Sequence, residues 1–533
     1  MTLPPGVSEE TFRRALQDFA SVVGPDWVFH KAEDVAAYND AFSPFVAEPD
    51  RQRVASAAVA PTQVEQVQQI VRIANQYRIP LYAVSTGRNL GYGGSAPNLS
   101  GSVVVDLKRM KRILEVNTRE GYMIVEPGVS FIELQRYFEE HKIDYVPSAP
   151  GPGWGSPIGN ALDRGAGFPY GDNFAAIKGL EVVLANGEVL RTGRGALQDP
   201  KLWPLYKYGL GPDLLGMFLQ SNFGIVTKAC FWIEPRAELA QGFSIASFDD
   251  ADLDPMIDAM NQLANQHVID GFAIASPLRS STGTNDGRPG GGPAEAKELL
   301  RRRDGGTAAE WQALARRVNI PLASAGGGAR GPRPVVKARL DYAIDYLKRM
   351  KVPGNIALGM ELPGAFPISI DFGALAVQGN NLGHYYFSPI LRRTREDLFG
   401  INETIRNVLI DAGDFEMLDE FGFSGGLGGV DLPGSVVQEK HMGILMEFLI
   451  YGDADKNRRR RELFTKLVKA CGEKGWAEYR APVIFQDDAV ATFSFNDHAQ
   501  CRLLETIYDA IDPNGILSPG RSGIWPKQLR NGR

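Results

Sequence analysis

The chain has 533 residues, of which 44% are hydrophobic and 23% are charged, and its formal net charge is −6 at pH 7. At a typical domain size of roughly 100–200 residues, this length predicts at least two domains. The acidic balance, with no Lys/Arg stripe to offset it, argues against a surface that binds nucleic acid.

The N-terminal residues MTLPPGVSEE show no signal-peptide pattern. The sequence also has no run of about 18 uncharged apolar residues of the kind that would cross a membrane. The three cysteines, Cys230, Cys471 and Cys501, lack metal-ligand spacing, and we expect each to be a buried free thiol. These features predict a cytoplasmic protein without a metal centre or a membrane partner.

Elements of the first half predict a mixed fold. The segment 8–23 opens with Ser-x-x-Thr, which resembles a helix start. The segment 64–80 has apolar residues at spacings of three and four, which predicts an amphipathic helix. Apolar runs predict strands at 55–60, 81–85, 100–107, 121–128 and 178–192, the last being a hairpin that turns at Asn186-Gly187.

The second half continues with a strand and a long helix over 243–266. The segment 280–333 is dense in Gly, Pro and Arg, and we expect a surface loop around one helix there. The remaining pattern predicts helices at 335–352 and near 502–511, and strands at 383–391 and 442–452. The run Arg458–Arg461 is interpreted as a solvated helix face.

Four glycine-bearing stretches are candidates for a ligand-binding site. Ser85–Gly94 follows a predicted strand and offers consecutive backbone N–H groups, which suit a pyrophosphate, although a plain turn stays open. It is neither a Walker loop nor a clean G-x-G-x-x-G turn. The other three stretches are Gly151–Asn173, Gln220–Lys228 and Asp512–Trp525.

The motifs STGRNLGYGG, GWGSPIGN, DRGAG, PYGD, SNFGIVTK, HYYFSPI, EYR and DPNGILSPGRSGIW follow one another in the order seen in one flavoprotein family. The chain resembles the vanillyl-alcohol oxidase / 4-cresol methylhydroxylase family over about residues 10–527. The resemblance implies an α+β, two-domain FAD-binding fold of the 4-cresol methylhydroxylase type. Its FAD-binding domain covers 1–240, its cap domain 241–499, and the segment 500–533 returns to the FAD-binding domain.

The resemblance also implies which residues bind FAD. They are Ser85, Thr86, Gly87, Arg88, Asn89, Leu90, Gly153, Trp154, Gly155, Ser156, Ile158, Gly159, Asn160, Asp163, Gly165, Gly224, Ile225, Val226 and Arg521. His384 stands where the family tethers its flavin covalently. A neutral imidazole is a competent nucleophile toward an activated flavin methyl group. The alternative interpretation is that His384 is a structural histidine on a core strand. A covalent link through Tyr385 or Tyr386 also stays open.

The resemblance makes Tyr92, Tyr479 and Arg480 the site that binds a substrate phenol as its phenolate. Two hydroxyls and a guanidinium can converge on one oxygen. The phenolate then favours hydride loss from its para substituent to flavin N5, which leaves a quinone methide. On the residues alone, Tyr92 could equally be a packing residue and EYR the end of a strand.

Several positions depart from the family pattern. Gly151 stands where an aspartate is usual, and Phe168 replaces one tyrosine while Tyr170 keeps the other. Asp371 is the counterpart of a pocket glutamate. His441 matches a histidine that could carry protons near the site, although a surface or packed histidine stays open. The stretch near 320–330 is small and Gly-rich where an aromatic segment is expected. These changes suggest a more open pocket for a bulkier, lignin-derived phenol.

Three functions stay open at this point. The first is a phenol oxidase that passes electrons to O2, and the second is a dehydrogenase that passes them to a cytochrome. The third is a flavin-binding protein without turnover. The family habit is a homodimer.

Overall fold

The computed structural model describes residues 2–149, 153–167, 171–279, 293–362, 382–417, 428–430 and 440–530. Gly151, Phe168, Tyr170 and Asp371 therefore lie outside the described residues. The α-helices are Glu9–Val23, Ala32–Ala36, Val64–Tyr77, Phe131–Glu140, Pro157–Leu162, Leu253–Asn265, Ala294–Arg301, Ala308–Val318, Arg333–Arg349, Arg395–Asp411, Ala454–Gly472, Gln486–Ala491, Phe495–Ile511 and Lys527–Arg530.

A four-stranded sheet lies in the N-terminal part of the chain. Its strand order is Val28–Phe29, Ala57–Val59, Val103–Asp106 and Leu81–Val84, with the last three strands parallel. The helix Val64–Tyr77 buries the face predicted from its apolar spacing, at Val67, Ile70, Val71 and Ala74. The helix Glu9–Val23 begins as predicted, with Ser8 accepting a hydrogen bond from the Thr11 N–H at 3.2 Å.

The second sheet is antiparallel. Its strand order is Val189–Arg191, Ile177–Val183, Ile225–Trp232, Tyr122–Val125 and Ile113–Asn117. The predicted hairpin is confirmed, because Gly187 adopts a φ of +81° in the turn and the Leu184 N–H bonds to the Glu188 oxygen at 2.9 Å. The C-terminal segment returns to these two sheets, where Leu517 bridges to Leu81 and Tyr508 is fully buried.

The third sheet builds the second domain. Its strand order is Asn355–Leu362, Leu239–Ser247, Ala323–Gly331, Gly271–Ala275 and Gly428–Val430. One hydrophobic core contains buried apolar residues between Leu239 and Ala489, together with Phe42. Two other cores contain buried apolar residues from the first 233 residues, together with residues of the C-terminal segment. The α+β two-domain fold is therefore confirmed.

The prediction of a surface loop over 280–333 is wrong in its described part. Ala294–Arg301 and Ala308–Val318 are two helices, and Ala323–Gly331 is the central strand of the third sheet. Glycines in this strand permit close approach. A side chain at Gly327 would begin 2.9 Å from the Ile269 side chain, and one at Gly328 would begin 3.1 Å from the Gln241 oxygen.

Two further predictions need correction. In the helix Ala454–Gly472, Arg458 and Arg459 are exposed as predicted, but Arg460 and Arg461 are only 2% and 7% exposed, so half of the arginine run is buried. Arg460 pairs with Asp414 at 3.4 Å, and such pairing makes a buried guanidinium tolerable. Of the cysteines, Cys230 and Cys471 are buried as expected, whereas Cys501 is partly exposed. Across the described ranges, no helix has the length and apolarity that crossing a membrane requires.

Candidate active site

The site forms where the loop Ser85–Gly94 meets the strand Gly383–Phe387. The loop follows the strand Leu81–Val84, and Gly91 within it has a φ of +78°. A side chain at Gly91 would begin 2.8 Å from the Tyr386 ring and 3.3 Å from the His384 ring. Glycine at this position therefore allows both a left-handed backbone and close contact between the two domains.

The second glycine-bearing stretch packs on the first. Ser156 caps the helix Pro157–Leu162, and a side chain at Gly159 would begin 2.2 Å from the Ser85 hydroxyl oxygen. Two backbone segments without large side chains therefore lie side by side. Such a cradle fits an extended dinucleotide, because it exposes N–H groups to phosphate oxygens.

The remaining residues predicted to contact FAD differ in their exposure and in their positions in the fold. In the loop, Arg88 is exposed, whereas Thr86, Gly87 and Leu90 are partly buried. The Gly153 and Gly155 oxygens accept hydrogen bonds at the start of the helix Phe131–Glu140, and Trp154 is exposed. Buried or partly buried positions are Ile158, Asn160 and Gly165 near the helix, and Gly224, Ile225 and Val226 at the start of the strand Ile225–Trp232.

Asp163 joins four segments of the chain. Its carboxylate accepts hydrogen bonds from Arg480 Nε at 2.8 Å, from Asn89 Nδ2 at 2.9 Å, and from Arg521. Burial alone would raise the pKa of Asp163, but the charges of Arg521 and Arg480 and these hydrogen bonds outweigh it and hold the pKa below its usual value. Asn89 also accepts a hydrogen bond from Arg480, so the guanidinium of Arg480 is fixed on two sides.

The structure brings Tyr92, Tyr479 and Arg480 together. The Arg480 guanidinium carbon lies 4.0 Å from the centre of the Tyr92 ring, and the side chains of Tyr92 and Tyr479 are close enough to influence each other electrostatically. Burial raises the pKa of Tyr92 well above its usual value, and it also raises the pKa of Tyr479. Both hydroxyls therefore keep their protons and can donate them to an anionic oxygen.

His384 is buried, with 3% of its surface exposed. Its ring packs between Phe42, at 5.1 Å between ring centres, and Tyr386, at 4.5 Å. Side chains alternate along a strand, so Tyr385 points the opposite way and packs on Phe448. Tyr386 is therefore the neighbouring tyrosine that shares a face with His384.

His441 lies opposite Arg392 in a two-stranded pair, and its main-chain oxygen accepts a hydrogen bond from Arg393 at 3.2 Å. Its role as a proton carrier stays a prediction. The predicted pocket residues Tyr170 and Asp371 fall outside the described residues.

Two buried residues at the site were missed in the sequence. The Ser388 hydroxyl lies 2.9 Å from the Tyr92 hydroxyl, and its N–H donates to both carboxylate oxygens of Glu478 at 2.9 Å. Burial raises the pKa of Glu478 well above its usual value. Both residues belong to the motifs HYYFSPI and EYR, but a serine before a proline and a glutamate beside a tyrosine give no chemical signal of their own.

A protein-family model described as an FAD binding domain matches residues 55–193. The 4-cresol dehydrogenase [hydroxylating] flavoprotein subunit of Pseudomonas putida is 31% identical over 98% of this chain and 97% of its own length.

Two solved structures are similar over almost the whole chain. A crystal structure of p-cresol methylhydroxylase with substrate bound has a TM-score of 0.80 and 28% identity, and it covers 98% of this chain and 99% of its own. The 4-ethylphenol oxidase of Gulosibacter chungangensis in its isoeugenol complex has a TM-score of 0.78 and 30% identity, with 99% and 100% covered.

Proposed function

Because this chain belongs to the 4-cresol methylhydroxylase / vanillyl-alcohol oxidase family of FAD-linked oxidoreductases, we propose that it oxidises the benzylic carbon of a para-substituted phenol. The observation that carries the proposal is the buried group of Tyr92, Tyr479 and Arg480 beside the glycine loop and His384. Its two neutral hydroxyls and one fixed cation are complementary to a phenolate oxygen.

Ionisation of the substrate is the first task of these residues. An ordinary phenol ionises near pH 10, and lowering that pKa by about three units requires about 4 kcal/mol of preferential binding to the anion. Charge-assisted hydrogen bonds in a site without bulk water can supply this free energy. Because Asp163 and Asn89 hold Arg480 by its Nε and Nη2 atoms, its charge is already in place before the substrate binds.

The phenolate directs the chemistry to its para substituent. Electron density moves from the oxygen toward the para carbon, so a hydride leaves the benzylic position and the substrate becomes a neutral quinone methide. FAD, when bound, supplies the acceptor for that hydride. The quinone methide formed from an alkylphenol then takes up water. The quinone methide formed from a benzylic alcohol instead loses its hydroxyl proton and becomes an aldehyde or ketone.

The chain offers a cradle and a tether for the cofactor. Ser85 and Gly159, whose segments are in contact, would hold the pyrophosphate. We propose that His384 carries the covalent link, since it is a buried imidazole that faces the loop at Gly91. A phenolic substrate would direct its oxygen toward Tyr92, Tyr479 and Arg480.

Anaerobic mixing with 4-ethylphenol tests this function. We expect the flavin absorbance to fall when the phenol is added, and to return rapidly when air is admitted if O2 is the acceptor. Slow recovery in air but rapid recovery with a c-type cytochrome would identify a dehydrogenase instead. Persistent flavin absorbance with every para-alkylphenol would contradict the proposal and leave a flavin-binding protein without turnover.

A further inference from the structure

Ser388 connects the two halves of the proposed phenol site. It is fully buried and follows the strand that carries His384. Its hydroxyl lies 2.9 Å from the Tyr92 hydroxyl, and its main-chain oxygen accepts a hydrogen bond from the Tyr479 N–H at 3.2 Å. Its own N–H donates to both oxygens of Glu478. Ser388 therefore contacts Tyr92 on the loop, and it also contacts Glu478 and Tyr479, the two residues before Arg480.

The direction of the hydrogen bond between Ser388 and Tyr92 follows from counting protons. A tyrosine hydroxyl has one proton to donate. If Tyr92 donates that proton to a phenolate, it can only accept from Ser388, and Ser388 must be the donor. Aligned hydroxyls polarise one another, so the proton of Ser388 strengthens the bond that Tyr92 makes.

We propose that Ser388 is a positioning residue that orients the Tyr92 hydroxyl toward the substrate oxygen and thereby favours the phenolate form of the bound substrate. This inference rests on the proposed function. It goes beyond the group of Tyr92, Tyr479 and Arg480, because Ser388 acts on the substrate only through Tyr92.

The charges around Tyr92 agree with this role. Arg480 lies over its ring, Tyr386 lies beside it at 5.2 Å between ring centres, and Tyr479 acts on it electrostatically. Glu478 and Asp163 are acidic groups that act on this cluster, and the charge of Asp163 is balanced by Arg480 and Arg521. Burial raises the pKa of Glu478, which favours its neutral carboxyl form, so it adds little repulsion to a phenolate.

The experiment titrates bound 4-nitrophenol in the holoenzyme, because this phenol changes colour when it ionises and has no benzylic hydrogen to lose. We expect Ser388→Ala to raise the pKa of the bound phenol by about one unit and to weaken phenolate binding about tenfold, the effect of one lost hydrogen bond. Ser388→Cys, which replaces the hydroxyl with a slightly larger thiol that donates weakly, should shift the pKa in the same direction.

A matched control is Ser102→Ala, which removes an equally buried hydroxyl from the strand region of the FAD-binding domain and should leave the bound pKa unchanged. In a Tyr92→Phe background the effect of Ser388→Ala should vanish, because the group through which Ser388 acts is gone. This cycle separates an effect through Tyr92 from a general loss of packing.

The outcomes separate the inference from the function on which it rests. If the wild-type holoenzyme binds no 4-nitrophenolate, the proposed phenolate site fails. If the wild type binds it and both Ser388 variants keep the wild-type pKa and affinity, the role of Ser388 is wrong. A loss of equal size in the Tyr92→Phe background would also overturn it.

Discussion

Alternate residues of the strand Gly383–Phe387 have different roles at this site. His384 and Tyr386 face the glycine loop, whereas Tyr385 and Phe387 face the core of the second domain. Because the repeat along a strand is two residues, one face can carry chemistry while the other contributes packing.

The tether can be tested at His384. We expect acid-precipitated wild-type protein to stay yellow, because a covalent flavin remains with the polypeptide, and His384→Ala to release its flavin into the supernatant. Tyr386→Phe is the matched control, since that side chain shares the same face of the strand. Complete loss of flavin from the precipitated wild type, or release by the tyrosine variant and not by the histidine variant, would show that His384 is not the link.

Glu478 makes stability depend on pH. Burial raises its pKa well above the usual 4.5, so the folded protein holds this proton more tightly than the unfolded chain does. Its contribution to stability is complete below the unfolded pKa and is lost as the pH rises through the folded pKa.

Glu478→Gln should remove this dependence. Relative to the variant, the wild type should lose about 1.4 kcal/mol of stability per pH unit between the unfolded and folded pKa values of Glu478. Thermal unfolding of both proteins from about pH 5 to about pH 8 measures the difference. Parallel curves would mean that Glu478 has an ordinary pKa in the folded protein.

At the scale of elements, the contact between the loop Ser85–Gly94 and the strand Gly383–Phe387 holds the two domains together at the site. Gly91 lies at that contact with a φ of +78°. Gly211 has a φ of +92° and no atom within 4 Å of where a side chain would begin. The two positions therefore share a left-handed backbone, which would strain any residue with a side chain, but they differ in their neighbours.

Gly91→Ala should lower stability by about 1–2 kcal/mol for the backbone and by about 1–3 kcal/mol more for the collision with Tyr386 and His384. Gly211→Ala should show only the loss of stability that comes from the backbone. We also expect Gly91→Ala, and not Gly211→Ala, to reduce the flavin bound per chain, measured from the ratio of visible to ultraviolet absorbance. Equal flavin content and equal melting temperatures would contradict the contact.

Elements with a clear period could be predicted from the sequence. The apolar spacing of Val64–Tyr77 and the Asn186-Gly187 turn each reflect a local preference that the fold keeps. The strand Ala323–Gly331 could not be predicted, because glycine in a sequence locally favours a loop. Small residues are needed there because neighbouring segments pack closely against this strand, and that packing exists only in the folded protein. The same limit applies to Arg460, whose burial depends on Asp414, a residue just after the helix Arg395–Asp411.

At the scale of the whole molecule, the site is assembled from segments that are far apart in sequence. Tyr92 and Ser388 are 296 residues apart, and Asp163 and Arg480 are 317 apart. Motif order predicted which segments matter, but it could not predict that Asp163 binds two arginines or that Ser388 binds Tyr92. Those contacts exist only because the C-terminal segment returns to the first domain and the second domain closes over the loop.

The central claim is that this molecule binds a para-substituted phenol as its phenolate and oxidises it. Anaerobic flavin reduction by 4-ethylphenol, compared with reduction by its methyl ether, tests the claim most directly, because the two compounds share the oxidisable carbon and differ in the ionisable hydroxyl. We predict rapid loss of flavin absorbance with the phenol and none with the ether. Equal rates with both compounds, or no reduction by either, would contradict the account.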